Sequence, residues 1–228
     1  MENIGAGSLA FVSGGTSGIG AAFATQLAAR GVEVIVSGRD RAKGEAFAAT
    51  LGPGHRYVPF DVSSEKDWEQ ALADAVGDRH LDILALNAGI SSRFAGTTDP
   101  MEVLDPAEID RVLGINFGGI VIGLRAAMPW LRGEKPAHVL VNSSTAGLVP
   151  YTPDPIYTAS KMAAIGLVRA FAPTLAAENV ILGAVCPGST DTPLIPDEFK
   201  KRLPNGDIVS LRTGNRLQVE RPRGRGDG

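Results

Sequence analysis

The chain has 228 residues, enough for one domain of ordinary size with a large core. Its 44% hydrophobic and 21% charged residues suit a globular protein and exclude a disordered one, and a formal net charge of -3 argues against nucleic acid or a membrane surface as partner. One cysteine, Cys186, excludes an internal disulfide and a cysteine-ligated zinc centre, and the lack of an apolar run of about 18 residues or of a signal-peptide pattern leads to the expectation of a cytoplasmic protein.

In chain order, Leu9 to Val12 is an apolar run that reads as a buried strand. Glycines follow at 14, 15, 18 and 20, then Ala21 to Arg30 in helical composition. A glycine-rich turn between strand and helix lets backbone approach a ligand closely, and amides at the helix start suit a phosphate. Val32 to Ser37 is a second strand, ending at Gly38, Arg39 and Asp40. Ala42 to Thr50 reads as a helix stopped by Gly52-Pro53-Gly54. Tyr57 to Phe60 is a short strand leading to Asp61, and Ser63 or Ser64 caps a helix from Glu65 to Val76, with Asp67 at capping-box spacing. Leu81 to Leu86 is a fourth strand, ending at Asn87-Ala88-Gly89. Pro106 opens a long helix running to about Trp130. His138 to Val141 is a fifth strand, a helix starts near Ile156, and Val180 to Val185 is a sixth strand ending at Cys186-Pro187-Gly188. Pro173 should kink or end the helix it interrupts.

This alternation predicts a single three-layer α/β domain, a doubly wound, Rossmann-like parallel sheet of six or seven strands. Gly14, Gly38, Asp61, Asn87, Asn142 and Cys186 then lie along one sheet edge, where ligands bind in such folds. From Lys200 to Gly228 the balance changes: eight basic residues face Asp207, Glu220 and Asp227, a net of +5. This basic tail reads as partly disordered, with a hairpin of Asp207 to Leu211 and Arg216 to Glu220 about Thr213-Gly214-Asn215.

Tyr157 and Lys161 stand four apart in YTASK, which puts both on one helix face. A phenol is a poor acid or base near neutrality, and a nearby ammonium lowers its pKa. Taken alone, the pair also fits a half-buried Tyr beside a solvated Lys. Ser143 and Ser144 both follow the fifth strand, and local pattern does not choose between them. Asn116 lies in an otherwise apolar helix, where a buried amide needs partners. His55, His80 and His138 show no ligand spacing, so no metal is expected.

Together these motifs resemble the classical short-chain dehydrogenase/reductase family over Leu9 to about Thr192. SGGTSGIG, with Gly14, Thr16, Ser17, Gly18, Ile19 and Gly20, is similar to the family's TGxxxGxG nucleotide loop, with Ser13 in place of Thr. Asp61-Val62 resembles the adenine-contacting pair, and Asn87-Ala88-Gly89 the NAG motif. Asn116, Ser144, Tyr157 and Lys161 resemble the catalytic tetrad; the family places its Ser thirteen before its Tyr, which selects Ser144. Pro187-Gly188, with Thr190 and Thr192 beyond, resembles the PGxxxT segment at the nicotinamide. The resemblance implies hydride transfer between nicotinamide C4 and a small or medium apolar ketone or secondary alcohol. Tyr157 is then acid or base, Lys161 lowers its pKa and holds the ribose, Ser144 polarises the substrate oxygen, and Asn116 holds a relay water. A substrate wall is expected from Ile90 to Phe94, Ala146 to Thr152 and Ser189 to Phe199. At the second strand's end, Gly38 and Arg39 replace an acidic residue, so NADP(H) is preferred and NAD(H) is the alternative.

Beyond Thr192 the chain departs from the family, whose seventh strand and its helix are not evident. Without them the sixth strand is an open edge. A homodimer through the helices near 106–130 and 156–172 is expected first, a tetramer second. The competing reading is a non-catalytic dinucleotide-binding or regulatory protein of the same fold.

Overall fold

The computed structural model describes residues 4–92, 105–195, 197, 200–202 and 208–210. Strands β1 (Leu9–Ser13), β2 (Glu33–Gly38), β3 (Arg56–Pro59), β4 (Ile83–Leu86), β5 (Ala137–Asn142) and β6 (Val180–Val185) form one parallel sheet in the order β3-β2-β1-β4-β5-β6. The order reverses direction beside β1, which places the loops after β1 and β4 at a topological switch point.

The central strands are apolar on both faces because helices cover both. Helices α1 (Gly18–Ala28) and α2 (Arg41–Leu51) close one side over Ala10, Val12, Val34 and Val36. Helices α3 (Glu65–Val76), α5 (Gly119–Leu131) and α6 (Pro155–Ala176) close the other over Phe11, Leu84, Val139 and Val141. Trp68 anchors that side, fully buried against Phe11 and Phe60, with its indole N–H donating to the Val62 carbonyl at 2.9 Å. Ser64 is the cap of α3: its hydroxyl accepts from the Asp67 amide, and donates to the Asp67 carboxylate at 2.9 Å.

The expected long helix runs from Pro106 to Leu131, as α4 (Pro106–Leu113), one π turn (Gly114–Gly118) and α5. By length and composition it passes the test for a membrane span, contrary to the expectation that no such apolar run exists. Its apolar side is a core face. Ile120, Leu124, Ala127 and Leu131 are buried, and Arg125 pairs with Glu65 of α3.

Two expectations fail here. Pro173 does not end α6, which continues to Ala176. The ring removes one hydrogen bond on an exposed side of the last turns, where water can take the freed Arg169 carbonyl, while Leu175 remains packed in the core. The expected hairpin is also corrected. Ile208–Ser210 (β8) forms a strand and pairs antiparallel with Lys200–Arg202 (β7), a partner the expected hairpin did not include. The β7 backbone lies nearer in sequence, and Lys200 is held by ion pairs to Asp191 and Asp197. Arg216 to Glu220, the turn at 213–215, and the tail from 211 to 228 lie outside the described residues.

Among the described residues β6 is one edge of the sheet and β3 the other. Val180 and Leu182 are buried, whereas Ile181 is 50% exposed and Val185 39%.

Candidate active site

The turn after β1 is built by steric necessity. Gly14 has φ +62°, and a Cβ there would lie 2.8 Å from the Ala88 Cα. A Cβ on Gly20 would lie 2.4 Å from both the Asn87 Nδ2 and the Gly14 carbonyl oxygen. Ser17 stands at the N-cap of α1 but makes no capping bond with its side chain, and the first turn carries no acidic residue. The amides there face the cavity uncapped, which suits an anionic group.

That cavity, about 720 Å³, runs along the strand ends. Its lining includes Gly14, Thr16, Ser17, Gly18, Ile19, Arg39, Asp61, Val62, Asn87, Ala88 and Gly89. Ser144, Tyr157, Lys161, Pro187, Gly188, Thr190 and Thr192 line it as well. Of the residues singled out in the sequence, Gly20 and Asn116 stand behind the wall. Gly20 is there for packing. Asn116 is fully buried in the π turn and grips the Ile90 backbone in both senses: its Oδ1 accepts from the Ile90 amide, and its Nδ2 donates to the Ile90 carbonyl, both at 2.8 Å. The same Nδ2 donates to Ser160 Oγ at 3.0 Å.

Asn87 joins three strand ends. Its Nδ2 donates to the Gly14 carbonyl at 2.9 Å, and its Oδ1 accepts from Asn142 Nδ2 at 2.7 Å. The Asn142 carbonyl accepts from Lys161 Nζ at 2.9 Å. A hydrogen-bonded path thus links the glycine turn to the buried amine. A Cβ on Gly89 would fall 3.3 Å from Lys161 Nζ and 3.4 Å from Asn116 Oδ1, so glycine keeps the space beside both clear.

The two serines have different surroundings. Ser143 Oγ is buried and donates to the Lys161 carbonyl at 3.0 Å. Ser144 Oγ accepts from the Ala146 amide at 3.1 Å and interacts with the Tyr157 phenol. The Lys161 amine lies 5.5 Å from the centre of the Tyr157 ring. Burial pushes the Tyr157 phenol above its ordinary value; Ser144 pulls it down, and Asp154 and Tyr151 push it further up. Burial pulls the Lys161 amine from 10.5 down to about 8, with Cys186 acting the other way.

A model of the short chain dehydrogenase family matches residues 8–203. The chain belongs to the short-chain dehydrogenase/reductase family. It is 33% identical over 198 residues to the sex determination protein tasselseed-2 of Zea mays, covering 86% of this chain but only 59% of that protein. It is 31% identical over 219 residues to a D-beta-hydroxybutyrate dehydrogenase of Cupriavidus necator, covering 94% of this chain and 83% of the relative. Among solved structures, a short chain dehydrogenase/reductase from Burkholderia phymatum in complex with NAD superposes with TM-score 0.76 at 27% identity, over 86% of this chain and 70% of that one. The Pseudomonas aeruginosa RhlG/NADP active-site complex gives 0.74 at 30%, over 82% and 74%. The protein is thus an oxidoreductase of a fold and family that bind NAD or NADP.

Two wall residues carry no local sequence signal. Lys43 joins Arg39 in the cavity lining, and Asp154 lines it as well. Of the expected substrate wall, Ile90, Ser91, Ala146, Val149, Pro150, Tyr151, Ser189, Leu194 and Ile195 line the cavity; Phe94 and Phe199 lie outside the described residues.

Keeping Lys161 charged and 3% exposed at neutral pH costs about 3 kcal/mol, from the fall of 10.5 to about 8. Replacing it with Met removes that cost and one hydrogen bond. Lys161→Met should therefore unfold at higher urea at pH 7, by about 1–2 kcal/mol. The unfolded chain binds the extra proton between pH 8 and 10.5, so the gain should fade as pH rises through that window.

Proposed function

We propose that the protein passes hydride between C4 of NADP(H) and the carbon of a small or medium apolar ketone or secondary alcohol, with Tyr157 as proton donor or acceptor. The reading is carried by one arrangement: Tyr157, Ser144 and buried Lys161 share a single cavity with an uncapped helix N-terminus and the turn at Gly14. The nicotinamide supplies the hydride. In reduction, the carbonyl oxygen accepts hydrogen bonds from the Ser144 and Tyr157 hydroxyls. The Tyr157 proton then moves to the developing alkoxide, and the Lys161 ammonium stabilises the phenolate left behind. Oxidation runs the same path backwards. Asn116 holds Ile90 in the wall, and the gap kept open by Gly89 suits a water between Asn116 and Lys161 as a relay to solvent.

Pyrophosphate would sit on the α1 amides, and adenine against Asp61 and Val62. Three observations favour NADP(H) over NAD(H). Gly38 leaves no acidic side chain at the end of β2, and a Cβ there would already lie 3.0 Å from Thr16 Oγ1. Arg39 and Lys43 both line this end of the cavity. Asp40, the neighbouring acid, is spent on capping α2, accepting from the Lys43 amide at 3.0 Å. The substrate end is mainly apolar, with Ile90, Ala146, Val149, Pro150, Leu194 and Ile195, which favours an uncharged substrate. Exposed Val121, Met162 and Phe171 on α5 and α6 favour pairing of two copies through these helices.

Tyr157→Phe should lower turnover on a panel of apolar ketones by about 10²–10⁴-fold while NADPH fluorescence titration gives an unchanged Kd. Turnover by neither the wild type nor the variant, with NADPH still bound, would favour the non-catalytic reading. Arg39→Ala should weaken NADPH by about 10–100-fold and NADH little, from loss of a charge-assisted fork. Equal weakening of both would remove the 2′-phosphate assignment.

A further inference from the structure

Among the described residues, one buried acid that lines the cavity has no part in the scheme above. Asp154 is 1% exposed and lines the cavity one turn before Tyr157. It is the N-cap of α6, and its Oδ1 accepts from the Tyr157 amide at 3.0 Å. Any of Ser, Thr or Asn can do that much. Asp154 does more. Its second oxygen, Oδ2, accepts from the amide of Ser92 at 2.9 Å.

Ser92 ends the segment that leaves β4 through Asn87–Gly89 and supplies Ile90 and Ser91 to the substrate wall. That segment is tied to α6 at two points. Asn116 joins Ile90 to Ser160, and Asp154 joins Ser92 to Tyr157. The loop on the other side is fastened to the same turn. Thr158 Oγ1 both accepts from the Tyr151 amide and donates to its carbonyl at 3.0 Å, and the Asp154 amide donates to that carbonyl at 3.1 Å. Serine at 154 would cap the helix but could not span to Ser92. Asparagine would offer one acceptor and present an NH₂ to one of the two amides. A carboxylate alone serves both donors, and two N–H groups are what a buried anion needs.

We propose that Asp154 is a positioning residue for the acid–base step: its carboxylate locks the turn that carries Tyr157 to the substrate wall at Ser92 and sets a negative charge one helical turn before Tyr157. This rests on Tyr157 being the acid–base group, as proposed above. The groups facing the phenol are Lys161 on its own helix, Ser144 from the loop after β5, Tyr151 from the loop before α6, and Asp154, with Cys186 facing Lys161 from the end of β6. Ser144 and the Lys161 ammonium favour the phenolate. Asp154 works against it and keeps the proton on the phenol, the form that reduction consumes and that oxidation must first lose.

The test needs no substrate. The chain has three tyrosines, so tyrosinate absorbance against pH, with each protein's Tyr157→Phe counterpart subtracted, isolates Tyr157. Asp154→Ser keeps a cap and Asp154→Asn keeps the size; if one fails to fold, the other carries the measurement. The Tyr157 midpoint should fall by about 0.5–1 pH unit in either variant. In Asp154→Ser, hydrogen exchange at the Ser92 amide should quicken about ten-fold or more while the Tyr157 amide keeps its protection. A midpoint unchanged or raised, or an unchanged Ser92 amide, overturns the proposal. Failure of the catalytic reading shows separately, as turnover that survives Tyr157→Phe.

Discussion

Two side-chain amides hold the site in one piece. Asn87 and Asn142 sit at the ends of adjacent strands, and through them the Gly14 carbonyl, β4, β5 and the Lys161 amine form one hydrogen-bonded line. Each bond contributes only about 0.5–1.5 kcal/mol net. Their value is geometric. The glycine turn and the helix carrying Tyr157 come from opposite halves of the chain, and this line fixes their separation. The glycines around it are small for the same reason: added atoms at 14 or 20 would land on Ala88, Asn87 or the turn itself.

The site also carries strain in electrostatic form. A cation at Lys161 and an anion at Asp154 are both nearly excluded from water, one beneath the phenol and one a turn before it. Burial depresses the amine, and its hydrogen bond to the Asn142 carbonyl offsets part of that cost. Such a placement weakens the fold and prepares the chemistry, the usual exchange at an active site. The open edge at β6, with Ile181 and Val185 partly in solvent, is a second departure from a fully covered sheet, and it lies on the far side of β5 from the glycine turn.

The sheet was legible because its signals are local. Short β-branched runs ended by Gly, Asn or Asp give the six strands, with shifts of one or two residues at their ends, as at β2 and β4. The motifs were legible because chain order and spacing carry them. What the sequence hid depends on contacts across the fold. The π turn at Asn116 and the double use of Asp154 require knowing what lies opposite, and nothing near either residue in sequence says so. Pro173 did not end its helix, because the rule against proline assumes a helix that must satisfy every carbonyl internally, which an exposed turn need not do. The strand at Ile208–Ser210 was found but its partner was not, since a three-residue pairing has no hydrophobic register to fix it.

The central claim is that the glycine turn and Lys161 act as one unit through Asn87 and Asn142. A double-mutant cycle tests it most directly, with NADPH Kd measured for wild type, Asn87→Ala, Lys161→Met and the pair. Asn87 and Lys161 are joined only through Asn142 in this line, so a coupling of about 1 kcal/mol or more is predicted. Effects that add to within about 0.3 kcal/mol would contradict the account.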